Sequence, residues 1–244
     1  MNIAPNITSH LADCMDFMST CKDNQYDWGI CDPNYGIGAS RPSKKPGKVK
    51  QRNGKVLQAP TNDYKHKDWD DKPPPKAYFD EVTRISKKQI IWGANYYPTA
   101  LPGGRLVWDK LNGASDQYDC EIAYLSFTDR TEMVYYKWAG MMQGKKASSR
   151  IREAFAQQGN KKLNEKRFHP TQKPVLLCKW MLEKWVAPGE TVFDSHSGSL
   201  SLAIACYLHG CSFEGTELES DYWQDGIERT TKFIRKDKSL LLCA

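Results

Sequence analysis

Apolar positions along this chain fall into two kinds of run: short continuous stretches bounded by turn formers, which read as buried strands, and stretches with helical spacing. Tyr26–Cys31 is of the first kind and leads directly into Asp32-Pro33-Asn34-Tyr35-Gly36. That places polar and aromatic groups at a strand's carboxyl end, where open α/β sheets bind ligands. Residues 77–85 predict an amphipathic helix, and 89–92 a strand closed by the turn Gly93-Ala94-Asn95. Further strands are predicted over 105–108, 121–127 and 132–138, the last two as a hairpin around Thr128-Asp129-Arg130. Between 37 and 75 there is little periodicity but much Lys, Gly, Pro and Asn, and 139–168 is again irregular apart from a short helix over 149–157.

The last third alternates helix and strand, as a parallel sheet requires. Pro174 is placed to start the helix Val175–Trp185, which Pro188-Gly189 follows. Then come a strand over 191–193, a loop over 194–199, a helix over 200–209, a strand over 212–215 and a final helix over 221–236. No internal repeat or linker interrupts the pattern, so residues 1–244 are expected to form one domain, with insertions at 38–75 and 139–168.

Composition adds class and compartment. With 40% hydrophobic and 26% charged residues in 244, the chain is that of a globular domain. The start MNIAPNITSH lacks the pattern of a secretory signal, and no apolar run approaches the ~20 residues that span a bilayer. A cytoplasmic protein without a membrane partner is expected. The eight cysteines (14, 21, 31, 120, 178, 206, 211, 243) contain no Cys-x-x-Cys pair and read as reduced core residues, so no metal is assigned.

Charge changes the picture more. The net charge is +6, yet residues 41–76 alone carry +7 and residues 145–167 carry +6, leaving −7 for everything else. Two basic insertions in an otherwise acidic chain point to a polyanion, because each Lys or Arg that neutralises a phosphate releases condensed counterion. The candidate contacts to that polyanion are Arg41, Lys44, Lys45, Lys48, Lys50 and Arg52 in the first insertion, and Lys145, Lys146, Arg150 and Arg152 in the second.

The chemistry concentrates in two turns. Asp194-Ser195-His196-Ser197-Gly198-Ser199 lies between a strand and a helix, where backbone N–H groups and a helix N-terminus approach a ligand. Glu217 ends the next strand, placed to accept from a ribose diol, so a nucleoside cofactor is implied; Gly-x-Gly-x-x-Gly is absent, which disfavours a dinucleotide. Asp32-Pro33-Asn34-Tyr35 suits a base amino group. Such a nitrogen is a poor nucleophile, its lone pair delocalised into the ring, and it must be oriented by acceptors for both N–H bonds. The Asp32 carboxylate and the Pro33 carbonyl supply them, Asn34 adds a polar group, and Tyr35 can stack on a base flipped from the duplex.

These motifs, in this order, resemble the amino-group DNA methyltransferases of prokaryotes and phages, over nearly the whole chain. That family carries Asp-Pro-Pro-Tyr, here Asp32 to Tyr35 with Asn34 for the second proline. It also carries His-Pro-Thr-Gln-Lys-Pro, present intact as His169-Pro170-Thr171-Gln172-Lys173-Pro174. The family's cofactor loop, Asp-Pro-Phe-x-Gly-Ser-Gly-Thr, is matched at Asp194, Gly198 and Ser199 but not at Ser195, His196 or Leu200. Ile91-Trp92-Gly93-Ala94-Asn95-Tyr96 and Trp108-Asp109-Lys110 are also similar to segments of this group, and Tyr222 matches a later aromatic.

The resemblance implies a three-layer α/β/α, doubly wound, mostly parallel sheet with the permuted motif order of the β class. It implies S-adenosylmethionine as cofactor, held by Asp13, Cys14, Asp32, His169, Pro170, Thr171, Gln172, Lys173, Asp194, His196, Ser197, Gly198, Ser199 and Glu217. The implied reaction is site-specific methylation of adenine N6, since a leading Asp is commoner there and a leading Ser for cytosine N4. Two alternatives stand: cytosine N4 methylation, and a non-catalytic DNA-binding protein that kept the fold. Cytosine C5 methylation is set aside, because no proline here precedes a cysteine. Relatives often dimerise and some have a restriction partner. Residue by residue, His169 reads as structural or cofactor-packing, Trp92 and Trp108 as core, and Lys173 as a surface residue.

Overall fold

The computed structural model describes residues 1–39, 48–50, 54, 56–58, 68–113, 119–139, 142–155 and 164–241. In chain order its elements are β1 (Asn2–Ala4), β2 (Ile7–Leu11), α1 (Cys14–Ser19), β3 (Tyr26–Cys31), β4 (Lys48–Lys50), β5 (Val56–Gln58), α2 (Lys76–Ile85), β6 (Ser86–Trp92), β7 (Gly104–Asp109), β8 (Cys120–Leu125) and β9 (Thr131–Tyr135). They continue with β10 (Trp138–Ala139), β11 (Met142–Gln143), α3 (Ile151–Ala154), α4 (Val175–Trp185), β12 (Thr191–Asp194), α5 (Ser201–His209), β13 (Ser212–Glu217) and α6 (Ser220–Leu241).

Nine of the described strands form one sheet in the order β1-β2-β13-β12-β3-β6-β8-β7-β9. From β2 through β6 every neighbouring pair is parallel, whereas β8 runs antiparallel to both β6 and β7. The central parallel strands β3, β6 and β12 carry apolar residues on both faces because helices cover both. On β3, Trp28 and Ile30 join the core with α4 and α5, while Cys31 joins the core with α1 and α2. Ile90 and Trp92 against Ile91 on β6, and Val192 against Phe193 on β12, divide in the same way. Gly29 faces α2 so closely that a Cβ there would lie 2.6 Å from the Ser86 hydroxyl. The expected three-layer architecture is therefore present.

The antiparallel side has one covered face. On β7, Leu106 and Trp108 are buried while Arg105, Val107 and Asp109 are half-buried, the alternation of a strand with one wet side. Here the hairpin expected around residues 128–130 is overturned. β8 is paired along its length with β7, from Gly104 opposite Leu125 to Asp109 opposite Cys120, and its other edge belongs to β6. β9 has no edge of β8 to take and lies parallel to β7 on the far side. The connecting chain crosses the start of β7, where Gly104 N–H donates to Thr128 O (2.5 Å) and Arg105 N–H to Arg130 O (3.0 Å). A side chain at Gly104 would sit 2.4 Å from Arg130 O, so the Gly103-Gly104 pair makes the crossing feasible.

Other differences are local. The helix expected over 149–157 is described only as α3, and residues 156–157 lie outside the described residues. β1, β2 and α1 had no periodic signal, being short and mixed in polarity, yet β2 extends the parallel run beside β13. Among the described residues no helix is long and apolar enough to cross a membrane.

Candidate active site

The carboxyl ends of β3, β12 and β13 open into one cleft of roughly 1120 Å³, counting its mouth. Asp13, Cys14, Asp32, Asn34, His169, Thr171, Gln172, Lys173, Asp194, His196, Ser197, Gly198, Ser199 and Glu217 all line it, whereas Pro33, Tyr35 and Pro170 lie outside its wall. Residues from five separate stretches of sequence thus meet where the topology of the sheet directs ligands.

On the β12–α5 side, the turn 194–200 is built on backbone donors. Glu217 accepts from Gly198 N–H (2.8 Å) and Glu219 N–H (2.9 Å), and Asp194 accepts from His196 N–H (3.1 Å). Neither acid makes an ion pair with a described residue. Burial, with help from Asp32 and Glu217, pushes the Asp194 carboxyl up to about 8, and burial also raises Glu217. Burial brings His196 down to about 4, so its ring is neutral at physiological pH. The neutral ring is 2.9 Å from the Ser195 hydroxyl, itself 2.6 Å from the Tyr78 hydroxyl.

Leu200, where the family has glycine, holds φ 56° and ψ 29°, a left-handed conformation that glycine adopts freely. The turn survives the substitution because the leucine side chain is buried against α6, its Cγ and Cδ1 each 3.2 Å from where a Cβ of Gly226 would be. The glycine at 226 makes the room. The turn is further tied by Arg229, which donates to Ser199 O (2.6 Å) and pairs with Glu165. Glu165 also accepts from Val175 N–H (3.0 Å), capping α4, and from the Gln172 amide (2.9 Å).

The motif Asp32 to Tyr35 is fastened to the residues that close the first insertion. Asp70, 1% exposed, accepts from the backbone N–H groups of Tyr35 (2.7 Å), Gly36 (2.8 Å) and Ala39 (2.6 Å). Asn34 donates through its side-chain amide to Lys72 O, and a Cβ at Gly36 would lie 2.5 Å from Pro73. The departure from proline at 34 therefore supplies a staple between the motif and the neck of the insertion. Gly93, at φ 79°, passes so near Tyr35 that a Cβ would come within 2.3 Å of the ring. Tyr96 stacks on Tyr35 at 5.0 Å between centroids.

Lys173 is not on the surface: at 8% exposure it lies at the centre of the site. Its ammonium donates to Asp32 Oδ2 (2.5 Å), Glu121 Oε2 (2.9 Å) and the Tyr35 hydroxyl (3.1 Å), and that hydroxyl donates to Asp32 Oδ1 (2.7 Å). Lys110 holds the other oxygen of Glu121 at 2.5 Å. Burial acts to raise Glu121, but Lys173 and Lys110 outweigh it and hold the carboxyl at about 2. Burial raises Asp32 despite Lys173, and although burial opposes charge on Lys173, Asp32 and Glu121 keep its pKa above the usual lysine value.

Of the remaining expected residues, Asp13 lines the cleft and caps α1 through Met15 N–H (2.7 Å), and Trp92 and Trp108 are buried, edge to face at 6.2 Å. His169 packs on Tyr222 at 4.3 Å. Lys145, Lys146, Arg150 and Arg152 are exposed, the first two in the turn after β11 and the others at α3. Lys48 and Lys50 fall on β4, and Arg41, Lys44, Lys45 and Arg52 lie outside the described residues. Sequence reasoning missed Asp70, Lys110, Glu121, Glu165 and Arg229. Lys110 closes the familiar Trp108-Asp109-Lys110 stretch, and Glu121 is a lone acid on an otherwise apolar strand; both are signals that could have been used.

A family model for DNA methylases of the N6/N4 type matches residues 41–228. The chain is 23% identical over 224 residues to YubD of Escherichia coli (strain K12), covering 89% of this chain and 87% of YubD. To the DNA adenine methyltransferase YhdJ of the same organism it is 34% identical over 67 residues, 28% of this chain and 23% of YhdJ. The crystal structure of the M1.HpyAVI–SAM complex superposes with a TM-score of 0.47 at 16% identity, over 91% of this chain and 99% of that one.

Proposed function

Because this chain belongs to the N6/N4 DNA methylase family, we propose that it transfers a methyl group from S-adenosylmethionine to an exocyclic amino nitrogen in double-stranded DNA, adenine N6 being the target. The observation that carries this reading is one cleft walled by Asp32 on one side and by the turn 194–199 with Glu217 on the other. The buried acids Asp194 and Glu217, unpaired with any described lysine or arginine, suit a ligand that carries positive charge. That cofactor supplies a methyl group activated on a sulfonium. Asp13, Cys14, His169, Thr171, Asp194, His196 to Ser199 and Glu217 hold it, with Lys173 part of the wall and Gln172 acting through the bonds that tie it to Glu165.

Asp32 and the Pro33 carbonyl accept the two N–H bonds of the target amine, which turns its lone pair toward the methyl group. As the C–N bond forms, the methyl–sulfur bond would break with its electron pair left on sulfur as a neutral thioether; the nitrogen then sheds one proton, and Asp32 is the group beside it. A flipped base takes the place that the Tyr96 ring holds on Tyr35. The leading Asp32 and the short likeness to an adenine methyltransferase support adenine over cytosine. The exposed Lys145, Lys146, Arg150 and Arg152 bind phosphates together with the first insertion.

The test is transfer of tritiated methyl from S-adenosylmethionine to unmethylated DNA, with the product digested and its nucleosides identified by mass spectrometry. Label in N6-methyladenine that is lost in Asp32→Ala is the expected result. Label in N4-methylcytosine overturns the choice of base, and absence of label with cofactor bound overturns the reaction.

A further inference from the structure

All three N–H donors of Lys173 have acceptors, on Asp32, Glu121 and Tyr35, and the Tyr35 hydroxyl returns its proton to Asp32. Each oxygen of Asp32 thereby holds one bond from a fixed donor and keeps its second acceptor position for a substrate. Lys173 can hold this place only because Glu121, on β8, grips it from behind at 2.9 Å while Lys110 grips Glu121 at 2.5 Å. The four side chains form a line of alternating charge, Lys110, Glu121, Lys173, Asp32, with no net charge and little exposure: 13%, 18%, 9% and 20% of each side chain.

From this geometry we infer that Lys173 and Glu121 are opposed positioning residues for Asp32: Lys173 fixes its orientation and favours its ionised form, and Glu121 fixes Lys173 while drawing part of that positive charge away from Asp32. The inference deepens the proposed reaction by naming what keeps its acceptor ready. The groups facing Asp32 from the packed elements are Lys173 and Cys178 at α4, Glu121 on β8, Tyr97 after β6, Asp194 on β12 and its own neighbour Tyr35. Lys173 is the one cation among them, so no other of these groups can replace it.

The two variants have opposite signs. In Lys173→Met the carboxylate loses its cation and ionises at higher pH; in Glu121→Gln it loses a repelling neighbour, Lys173 is left to it alone, and it ionises at lower pH. The readout independent of catalysis is a carbon-13 NMR titration of protein labelled in its aspartate carboxyls, with Asp32 assigned by Asp32→Asn. The midpoint is expected to move up by about one pH unit or more in Lys173→Met and down by a smaller step in Glu121→Gln. The acid limb of methyl transfer should follow in the same directions, and a cooperative thermal melt followed by circular dichroism checks the folding of each variant. If Lys173→Met fails to fold, the downward shift in Glu121→Gln still decides. Shifts in the same direction, or no downward shift in Glu121→Gln, overturn the inference. Opposite shifts in a protein that methylates no DNA would sink the proposed function and leave this inference standing.

Discussion

Two corners of one cleft treat buried carboxylates in opposite ways. At the catalytic corner Asp32 and Glu121 face Lys173 and Lys110, charge against charge, and Glu121 stays ionised down to about 2. At the corner proposed for the cofactor, the hydrogen bonds that Asp194 and Glu217 accept among the described residues all come from backbone N–H groups, and Asp194 stays protonated up to about 8. A buried ion pair is costly to desolvate but, once balanced, is insensitive to what binds nearby. A buried acid held by backbone donors has its charge balance completed by the ligand. The contrast assigns the fixed chemistry to one corner and the exchangeable charge to the other.

The sharpest way to break the contrast is Asp32→Asn. It leaves Lys173 with Glu121 and Tyr35, and methyl transfer at saturating cofactor is expected to fall by about 10²–10⁴-fold with cofactor affinity nearly unchanged. An equal loss in cofactor affinity would show the corners to be one unit. Glu217→Gln probes the other side, where weakening a charged hydrogen bond to Gly198 N–H should cost cofactor affinity roughly ten- to a hundredfold by calorimetry and leave DNA affinity alone.

Leu200→Gly asks what holds the cofactor turn in shape. Relief of the left-handed leucine returns about 1–2 kcal/mol, but loss of its buried side chain costs about 2–5 kcal/mol, so a net loss of about 2 kcal/mol, within a span of roughly 0–4 kcal/mol, is expected in chemical denaturation. The smallest effect is in pH. A cationic ligand prefers ionised Asp194, so binding expels a proton below pH about 8 and affinity rises toward that value by less than tenfold per pH unit. Calorimetry in two buffers of different ionisation heat reads the proton, and Asp194→Asn should abolish that dependence.

Strands and helices of the parallel half were legible because both-face burial gives unbroken apolar runs: Tyr26–Cys31 and Val175–Trp185 were predicted with the ends they have. The partnering of β8 was not legible, since pairing depends on which edges remain free after distant strands add, and only Gly103-Gly104 hinted at the crossing. The cofactor side of the site was read from local motifs, and all of those residues except Pro170 line the cleft. The charge line was half-read: Asp32 and Lys173 stand in motifs, but their meeting, 141 residues apart in the chain, and the contribution of Glu121 from an antiparallel strand exist only after folding. Lys173 read as surface because an isolated lysine beside prolines carries no sign of the two carboxylates awaiting it.

The neck formed by Asp70, Asn34 and Lys72 has a consequence for how such a protein can change. Gly38 and Ala39 stand beside Asp70, whose backbone carbonyl accepts from Gly38 N–H and whose buried carboxylate accepts from Ala39 N–H, so the two sides of the opening are joined there. Whatever is strung between them need not carry its own fastening to the reaction centre, and loop-closure entropy grows by only about 0.6 kcal/mol for each doubling of length. The socket is thus independent of what it closes: a chain of another length between positions 39 and 70 would leave the bonds of Asp70, and the motif they hold, as they are.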